Sequence, residues 1–200
     1  MALRRGFRKE AREITREVRA ELGIDAFAAM DPYALAKLYG IEVVDLSNPC
    51  LPAESVRHFT EERPHVFSGA LVPLQPSGAL IIENHVHHPV RRRSTIAHEM
   101  AHVLLEHPFG LTLTDENGCR AGVAEIEEEA AELSGELLIP SDAARAAAFK
   151  GWSDRSVAGY FRVSLPMARW RMNVTGARKI AARSWHRWAR EHAVSALTAG

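Results

Sequence analysis

The chain has 200 residues, 46% of them hydrophobic, and its 25 basic and 25 acidic side chains give a formal net charge of zero. This length and composition fit one globular domain, or one domain with a small appendage, and exclude an intrinsically disordered chain. The zero net charge provides no general attraction to nucleic acid or membrane, and no apolar run approaches the roughly 20 residues that span a bilayer.

The cysteine content and the N-terminus point to one cellular compartment. Cys50 and Cys119 are the only cysteines, whereas a secreted disulfide scaffold would use more. The charged N-terminal residues are not followed by the apolar stretch of a signal peptide. We therefore expect a cytoplasmic protein with free thiols.

The first predicted helix has one apolar stripe, because apolar residues recur at helical spacing. The stripe consists of Phe7, Ala11, Ile14, Val18 and Leu22. The other faces carry arginines and lysine interleaved with glutamates. This pattern is typical of a solvated face with ion pairs between successive turns. A contact with nucleic acid is the alternative interpretation.

A second helix and three strands are predicted next. Asp31 and Pro32 form a helix start, and Gly40 ends that helix. The strand candidates, separated by turn-forming and polar residues, cover residues 41–46, 66–72 and 79–83. Residues 47–65 are rich in proline, serine and charge, and are predicted to be a loop. The pattern indicates a small, mostly antiparallel sheet of about three strands.

The rest of the chain has a helical pattern. A helix over about 91–107 is stopped by Pro108, and after a loop at 110–122 a helix over about 123–139 is stopped by Pro140. Further helices are expected to begin at three serines in N-cap positions, Ser141, Ser153 and Ser164. The expected fold class is α+β, a mostly helical domain over residues 1–150 with the small sheet beside the helix at 91–107. Residues 151–200 form a C-terminal helical segment.

His98, Glu99 and His102 form an HExxH motif within the predicted helix at 91–107. Two histidines four residues apart lie one turn above the other, so both imidazoles can bind one Zn²⁺. Glu99 can then serve as the general base that takes a proton from water. The sequence predicts one zinc ion per chain.

A catalytic zinc needs a third protein ligand. The extended motif HExxHxxGxxH fails, because Leu105 and Pro108 stand at its glycine and third histidine. His107 is rotated away from the metal face and is interpreted as a partner of the helix dipole. A following helix offers six glutamates, most of them expected on a solvated face, between residues 125 and 136. Glu127, on a face of small residues, is favoured, with Glu128 as the alternative.

The two helices together resemble a known family. Residues 97–105 (AHEMAHVLL) and 127–140 (EEEAAELSGELLIP) are similar to the zinc helix and the following helix of the ImmA/IrrE metallopeptidases. The resemblance implies that Glu127 is the third zinc ligand. Ala131 stands where the family usually has Asn, and Leu133 and Ser94 stand where it often has Phe. The loss of Asn could loosen the orientation of a ligand.

The resemblance also implies a function. Family members cleave a helix-turn-helix transcriptional repressor and so switch on mobile-element or stress-response genes. The implied partner is therefore a small repressor of this type. We expect residues 79–84 to form an edge strand that holds the substrate as an added strand, with contacts from Ile81, Ile82, Glu83 and Asn84.

The C-terminal segment leaves a second functional class open. Residues 153–173 predict two short helices with the rhythm of a helix-turn-helix, flanked by arginines. Contact with DNA or a repressor is one interpretation, and a packing unit that covers the zinc helix is the favoured one. A non-catalytic regulatory module with a structural zinc, closed by Cys119, is the alternative to a peptidase.

Overall fold

The computed structural model describes the backbone of residues 3–108 and 120–186, and the side chains of residues 3–108 and 124–186. Helix α1 (Phe7–Glu21) buries the predicted stripe, since Phe7, Ala11 and Val18 are almost fully enclosed. Helix α2 (Pro32–Leu38) begins as predicted, because the Asp31 carboxylate accepts a hydrogen bond from the Tyr33 N–H at 3.2 Å.

The sheet has three strands in the order β1-β3-β2, with bounds β1 (Glu42–Asp45), β2 (Gly69–Pro73) and β3 (Ala79–Glu83). Strands β2 and β3 are antiparallel, but β1 runs parallel to β3. The α+β class and the three strands are confirmed. The sheet is mixed rather than mostly antiparallel, because the long connection after β1 lets β2 and β3 form a hairpin whose second strand pairs with β1.

Strand β3 is the central strand, so the prediction that residues 79–84 form a sheet edge is wrong. Both sides of β3 are occupied by neighbouring strands. Ile81 is fully buried in the core, and Ile82 pairs across the ladders with Val44 and Ala70. Strand order is set by contacts distant in sequence, which the alternation within one strand does not reveal.

The predicted loop at 47–65 is largely helical. It contains α3 (Ala53–Arg57), a π-helical turn (His58–Glu62) and a 3₁₀ turn (Pro64–Val66). Its carbonyl groups find a partner outside the segment, since the buried Asn84 amide donates to Phe59 O at 2.8 Å. Helical turns this short depend on tertiary contacts. The local composition, rich in proline and charged residues, therefore gave no indication of them.

The C-terminal helices follow the predicted pattern. Their bounds are α4 (Pro89–Leu104), α5 (Arg120–Leu138), α6 (Ser141–Phe149), α7 (Asp154–Phe161), α8 (Leu165–Val174) and a further helical segment at 177–186. Ser153 and Ser164 are N-caps that accept hydrogen bonds from the backbone of α7 and α8. Ser141 is instead the first residue of α6, and its N–H donates to Glu136 at 2.6 Å.

Helices α4 and α5 pack against each other at the centre of the molecule, with α1 on α5 and the sheet on α4. Fully buried side chains from all these elements form one core. Representative members are Phe7, Ile81, Ile96, Met100 and Leu133. This arrangement fixes α4 from both sides, and the metal-ligating residues predicted on it are therefore held by the core.

A buried ion network joins α8 to α5. Arg171 is fully enclosed and donates to Glu132 at 2.7 Å, to the Ile139 carbonyl at 3.0 Å and to Glu136. Glu132 and Glu136 therefore do not belong to the solvated acidic face predicted for α5. Burial lowers the pKa of Arg171, and the charge of Glu132 opposes that effect.

Some predictions fall on residues beyond those described. These are Cys119, most of the loop at 110–122, and residues 187–200 of the C-terminal helical segment. Cys50 is exposed and has a free thiol. Across residues 3–108 and 120–186, no helix has the length and apolar character that crossing a membrane requires.

Candidate metal centre

Helix α4 presents His98, Glu99 and His102 from a firmly anchored backbone. The His88 side chain accepts a hydrogen bond from the Val90 N–H, and Pro89 occupies the first turn, so the helix start is well defined. The predicted core positions Ile96 and Met100 are fully buried. His98, Glu99 and His102 lie at the boundary of the core and are only partly exposed.

Helix α5 brings Glu127 to the two histidines. Small residues are buried on both helices, Ala97 and Ala101 on α4 and Ala130 on α5. Small side chains allow two helices to approach closely, which suits a ligand on one helix reaching a metal held by the other. His98, His102 and Glu127 each offer a ligand atom, and these three atoms lie within 4.8 Å of one another.

The distances between the ligand atoms fit a tetrahedral metal. Nε2 of His98 lies 3.1 Å from Oε2 of Glu127 and 3.2 Å from Nε2 of His102, and His102 Nε2 lies 3.5 Å from Oε1 of Glu127. Two tetrahedral ligands at zinc bond lengths are about 3.3–3.4 Å apart. Two imidazole nitrogens and one carboxylate oxygen are also the ligand types of a three-residue catalytic zinc site. The residues therefore fit zinc.

The electrostatics of the three residues suit metal binding. Burial, assisted by the neighbouring His98, lowers the pKa of His102 to about 4, which keeps this imidazole neutral at pH 7. The hydrogen bond with His98 lowers the pKa of Glu127 and favours its carboxylate form. Burial works against the charged form of His98, but Glu127 and Glu99 outweigh it and raise the pKa of His98. A metal ion would thus compete with a proton mainly at His98.

Glu99 lies between the two histidines in sequence and faces the sheet in space. Its Oε2 accepts a hydrogen bond from the backbone N–H of Leu71 at 3.1 Å. Burial raises the pKa of Glu99, and the nearby His98 opposes that shift. A carboxyl group with a raised pKa, held beside a water-accessible metal site, is suited to accept and return a proton.

Strand β2 comes this close to α4 because of a glycine. A Cβ atom on Gly69 would lie 2.5 Å from Cγ2 of Thr95 on α4 and 3.0 Å from the Ile82 carbonyl. No side chain fits between these groups. Gly69 therefore allows β2 to lie directly on the helix that carries Glu99.

The comparison with known families agrees with this geometry. Residues 38–173 match the peptidase family M78, described as the IrrE N-terminal-like domain, and this is more than half of the chain. The chain belongs to the IrrE N-terminal-like family. The matched range includes α4, α5 and all three ligand atoms, so the resemblance seen in the sequence is confirmed. No match was found among curated proteins.

Membership of the IrrE-like family supports a metallopeptidase function for this chain. The match also runs across residue 150, where the sequence suggested a division, and ends within α8. The division into residues 1–150 and 151–200 stays a prediction. The assignment of His98, His102 and Glu127 as ligands, and of Glu99 as base, likewise rests on the geometry described above.

The IrrE-like site includes one histidine that sequence reasoning placed elsewhere. His107 was expected to point away from the metal face, but its Nδ1 lies 2.9 Å from Nδ1 of His102. Glu106 adopts a left-handed conformation with φ of 52°, which turns the chain back after α4. Helical spacing alone could not place His107, because the helix ends before it. An additional histidine close after the motif is the one signal that could have drawn attention to it.

The contact between His102 and His107 is the first of a series of polar contacts that leads away from the metal site. When His102 presents Nε2 to a metal, its Nδ1–H donates to Nδ1 of His107, and the His107 Nε2–H then faces Glu129 at 3.7 Å. Glu129 in turn accepts from Arg4 at 2.5 Å. Groups that orient a ligating imidazole in this way strengthen metal binding. His107 is therefore a positioning residue for His102.

The four residues predicted to touch substrate have structural contacts instead. Glu83 is buried and accepts hydrogen bonds from Arg92 at 2.5 Å and Tyr33 at 2.8 Å. The Asn84 amide donates to backbone carbonyls in the segment before β2, including Phe67 at 3.0 Å. With Ile81 and Ile82 inside the sheet, these residues support the elements around the site. None of the four lines the cavity that contains His98 and Glu99.

Proposed function

We propose that this chain is a zinc-dependent endopeptidase that cleaves a helix-turn-helix transcriptional repressor and thereby relieves repression of mobile-element or stress-response genes. The convergence of His98, His102 and Glu127, with Glu99 beside them, is the observation that carries the peptidase proposal. A repressor acts in the cytoplasm, and we place the enzyme in the same compartment.

The residues divide the chemistry among them. His98, His102 and Glu127 would hold the metal. Zinc bound there would supply a Lewis acid and lower the pKa of its water to about 7. Glu99 would accept the proton of the attacking water and donate it to the leaving nitrogen, so that the C–N bond breaks with release of a neutral amine rather than an amide anion. The raised pKa of Glu99 favours this return of the proton.

Strand β2 is the sheet edge that we propose for substrate docking. Within the described residues it pairs with β3 only, so its other side can accept an added strand. The Leu71 N–H points to that side, since it bonds to Glu99 rather than to β3. Pro73, at the next position of the same orientation, suits an edge because it has no N–H to leave unpaired. An extended substrate on β2 would lie beside Glu99.

The repressor as substrate is supported by the sequence resemblance to the ImmA/IrrE peptidases. The non-catalytic alternative, a DNA-binding regulatory module, would use α7 and α8. These helices are joined by three residues, with Arg162 in a left-handed conformation. However, Ala168, Arg171 and Met172 of α8 are buried in the domain. This packing favours a structural role for α8 over insertion into a DNA groove.

The proposal can be tested in cells of the source organism. New protein N-termini would be mapped by mass spectrometry after expression of the wild type or of Glu99→Gln. We expect a new N-terminus within a helix-turn-helix protein in wild-type cells only. New termini confined to other proteins would overturn the repressor assignment, and identical termini in both strains would overturn the peptidase assignment. An Arg155→Glu variant, changed at an exposed residue of α7, serves as the active control.

A further inference from the structure

A large groove runs along the start of α1. It has a volume of about 800 Å³ and is bounded by α1, α5 and α8. Its α1 side is formed by basic residues that precede or begin the helix, namely Arg4, Arg5, Arg8, Lys9 and Arg12. We call this feature the basic groove. The same residues were interpreted from sequence as a solvated helix face, and that interpretation did not anticipate a concave surface.

The basic groove adjoins the cavity at the metal centre. A second cavity, of about 420 Å³, is lined by His98, Glu99 and Gly69. Both cavities share two lining residues, Ala131 and Trp170. Ala131 contributes only a methyl group at this boundary. We infer that a chain bound at the metal centre extends past it into the basic groove.

Trp170 is held in place at this junction. A Cβ atom at Gly135 of α5 would lie 2.5 Å from the Trp170 ring, so the indole lies directly on the helix backbone there. Trp170 as a whole is nevertheless 37% exposed. A fixed and partly exposed indole gives a bound polypeptide an apolar surface at little cost in side-chain entropy.

Part of the positive charge in the basic groove is neutralised by α5. Arg4 donates to Glu129 at 2.5 Å, and Arg8 lies 3.4 Å from Glu132. The Glu132 carboxylate is shared, because the buried Arg171 binds it at 2.7 Å. Its remaining capacity to neutralise Arg8 is therefore reduced.

Of the other basic side chains, Lys9 lies 3.6 Å from Glu13 on its own helix, whereas Arg5 and Arg12 differ. In the described part of the chain, no carboxylate pairs with Arg5 or Arg12. Arg5 is exposed and Arg12 is half-buried. Five basic side chains line the groove against two carboxylates, and an excess of one charge on a concave surface attracts a ligand of opposite sign.

We propose that the basic groove binds an acidic segment of the polypeptide substrate, at a fixed distance on one side of the scissile bond. This inference rests on the proposed peptidase function. A polypeptide is favoured over nucleic acid because the groove adjoins the cavity lined by His98 and Glu99, which belong to the proposed peptidase site. The groove thus determines specificity, while the edge of β2 binds the backbone.

The selectivity can be measured with a proteome-derived peptide library and the zinc-loaded protein. We expect Asp and Glu to be enriched at fixed positions on one side of the cleaved bond. The double variant Arg5→Glu/Arg12→Glu should lose this enrichment and raise KM for an acidic peptide from the library about tenfold, with kcat nearly unchanged. This change corresponds to a loss of about 1.4 kcal/mol of binding free energy on reversal of the two charges. Arg155→Glu, with one matching charge reversal outside the groove, should behave as the wild type.

A binding measurement separates the groove from catalysis. Fluorescence anisotropy of the Glu99→Gln protein would compare a labelled Asp-Ala repeat peptide, an Asn-Ala repeat of equal length and a duplex DNA. Tighter binding of the Asp-Ala peptide, lost when Arg5→Glu/Arg12→Glu is added, supports the inference. Equal binding of the two peptides, or tighter binding of the DNA through the same arginines, overturns it. If the wild type cleaves no peptide, the peptidase proposal fails. The anisotropy measurement still shows whether the basic groove binds acidic peptides.

Discussion

The backbone N–H of Leu71 donates a 3.1 Å hydrogen bond to the carboxylate of Glu99. This bond links the outer edge of β2 to the residue proposed as general base. A substrate strand added to β2 would approach the same N–H. The position of Glu99 is thus set by the strand that we propose binds the substrate, as well as by its own helix.

Replacement of Glu99 by Gln should separate catalysis from structure. The amide oxygen of Gln can still accept the Leu71 hydrogen bond, so we expect the free energy of unfolding to change by about 1 kcal/mol or less. Because the amide cannot carry the transferred proton, peptide cleavage should fall by about 10²–10⁴-fold. Denaturant unfolding, metal content and cleavage of library peptides measure these effects. Undiminished cleavage would show that another group is the base.

Removal of Glu127 should remove the metal. Elemental analysis of protein purified without added metal or chelator should give about one zinc per chain in the wild type. Glu127→Ala should retain much less, because two histidines alone leave the site one ligand short. Glu128→Ala is the matched control and should keep its zinc. The reverse result would assign the third ligand to Glu128, and an absence of uptake by the wild type on reconstitution would contradict the metal site.

His107 should strengthen zinc binding without touching the ion. Its contact with His102 Nδ1 orients that imidazole. His107→Ala is expected to weaken zinc affinity by about 10- to 100-fold, as loss of a group behind a metal ligand commonly does. Competition with a chromophoric chelator measures this. His65→Ala, at an exposed position outside the metal site, should leave the affinity unchanged, and an equal loss in both variants would argue against a specific role.

Gly135 should be required only while Trp170 is present. Alanine at Gly135 places a Cβ atom 2.5 Å from the indole, so Gly135→Ala should destabilise the fold by about 1–3 kcal/mol. In a Trp170→Ala background the same change should be neutral or stabilising by up to about 1 kcal/mol, because Ala favours a helix over Gly. Urea unfolding of the four proteins gives this double-mutant cycle. Additive effects would show that the two residues do not interact.

Arg171 should contribute far more to stability than a surface arginine of the same helix. Arg171→Met leaves Glu132 and Glu136 buried without their counter-charge, and we expect a loss of about 3–5 kcal/mol. Arg169 is exposed and lies 3.5 Å from Asp154, so Arg169→Met should cost about 1 kcal/mol or less. Denaturant titration compares the two. Equal small losses would mean that the buried carboxylates find other partners.

Local signals in the sequence predicted much of this architecture. The helices α1, α2, α4 and α5 follow from apolar periodicity with clear start and stop residues. The grouping of His98 and His102 follows from helical spacing, and Glu127 could be selected because its helix face is small. Each of these inferences needs only residues near one another in sequence, or the packing of two consecutive helices.

The features that were missed depend on distant contacts. The central position of β3 depends on β1, which precedes it by more than thirty residues along the chain. The burial of Glu132 depends on Arg171, and the position of His107 depends on the backbone turn at Glu106. The amphipathic pattern of α1 indicated which residues are polar, but could not show that they face a groove. Periodicity describes one helix or strand at a time, whereas these features depend on contacts between two parts of the chain.

The burial of Arg171 also has a consequence for biosynthesis. Arg171 follows Glu132 by 39 residues, so the ribosome completes both ligand-bearing helices well before it adds this arginine. Until then the carboxylates of Glu132 and Glu136 favour contact with water, which opposes the burial of that part of α5. We therefore expect the metal site to become well ordered only late in translation. Timing of this kind would keep a protease inactive while its own polypeptide is still unfolded and vulnerable.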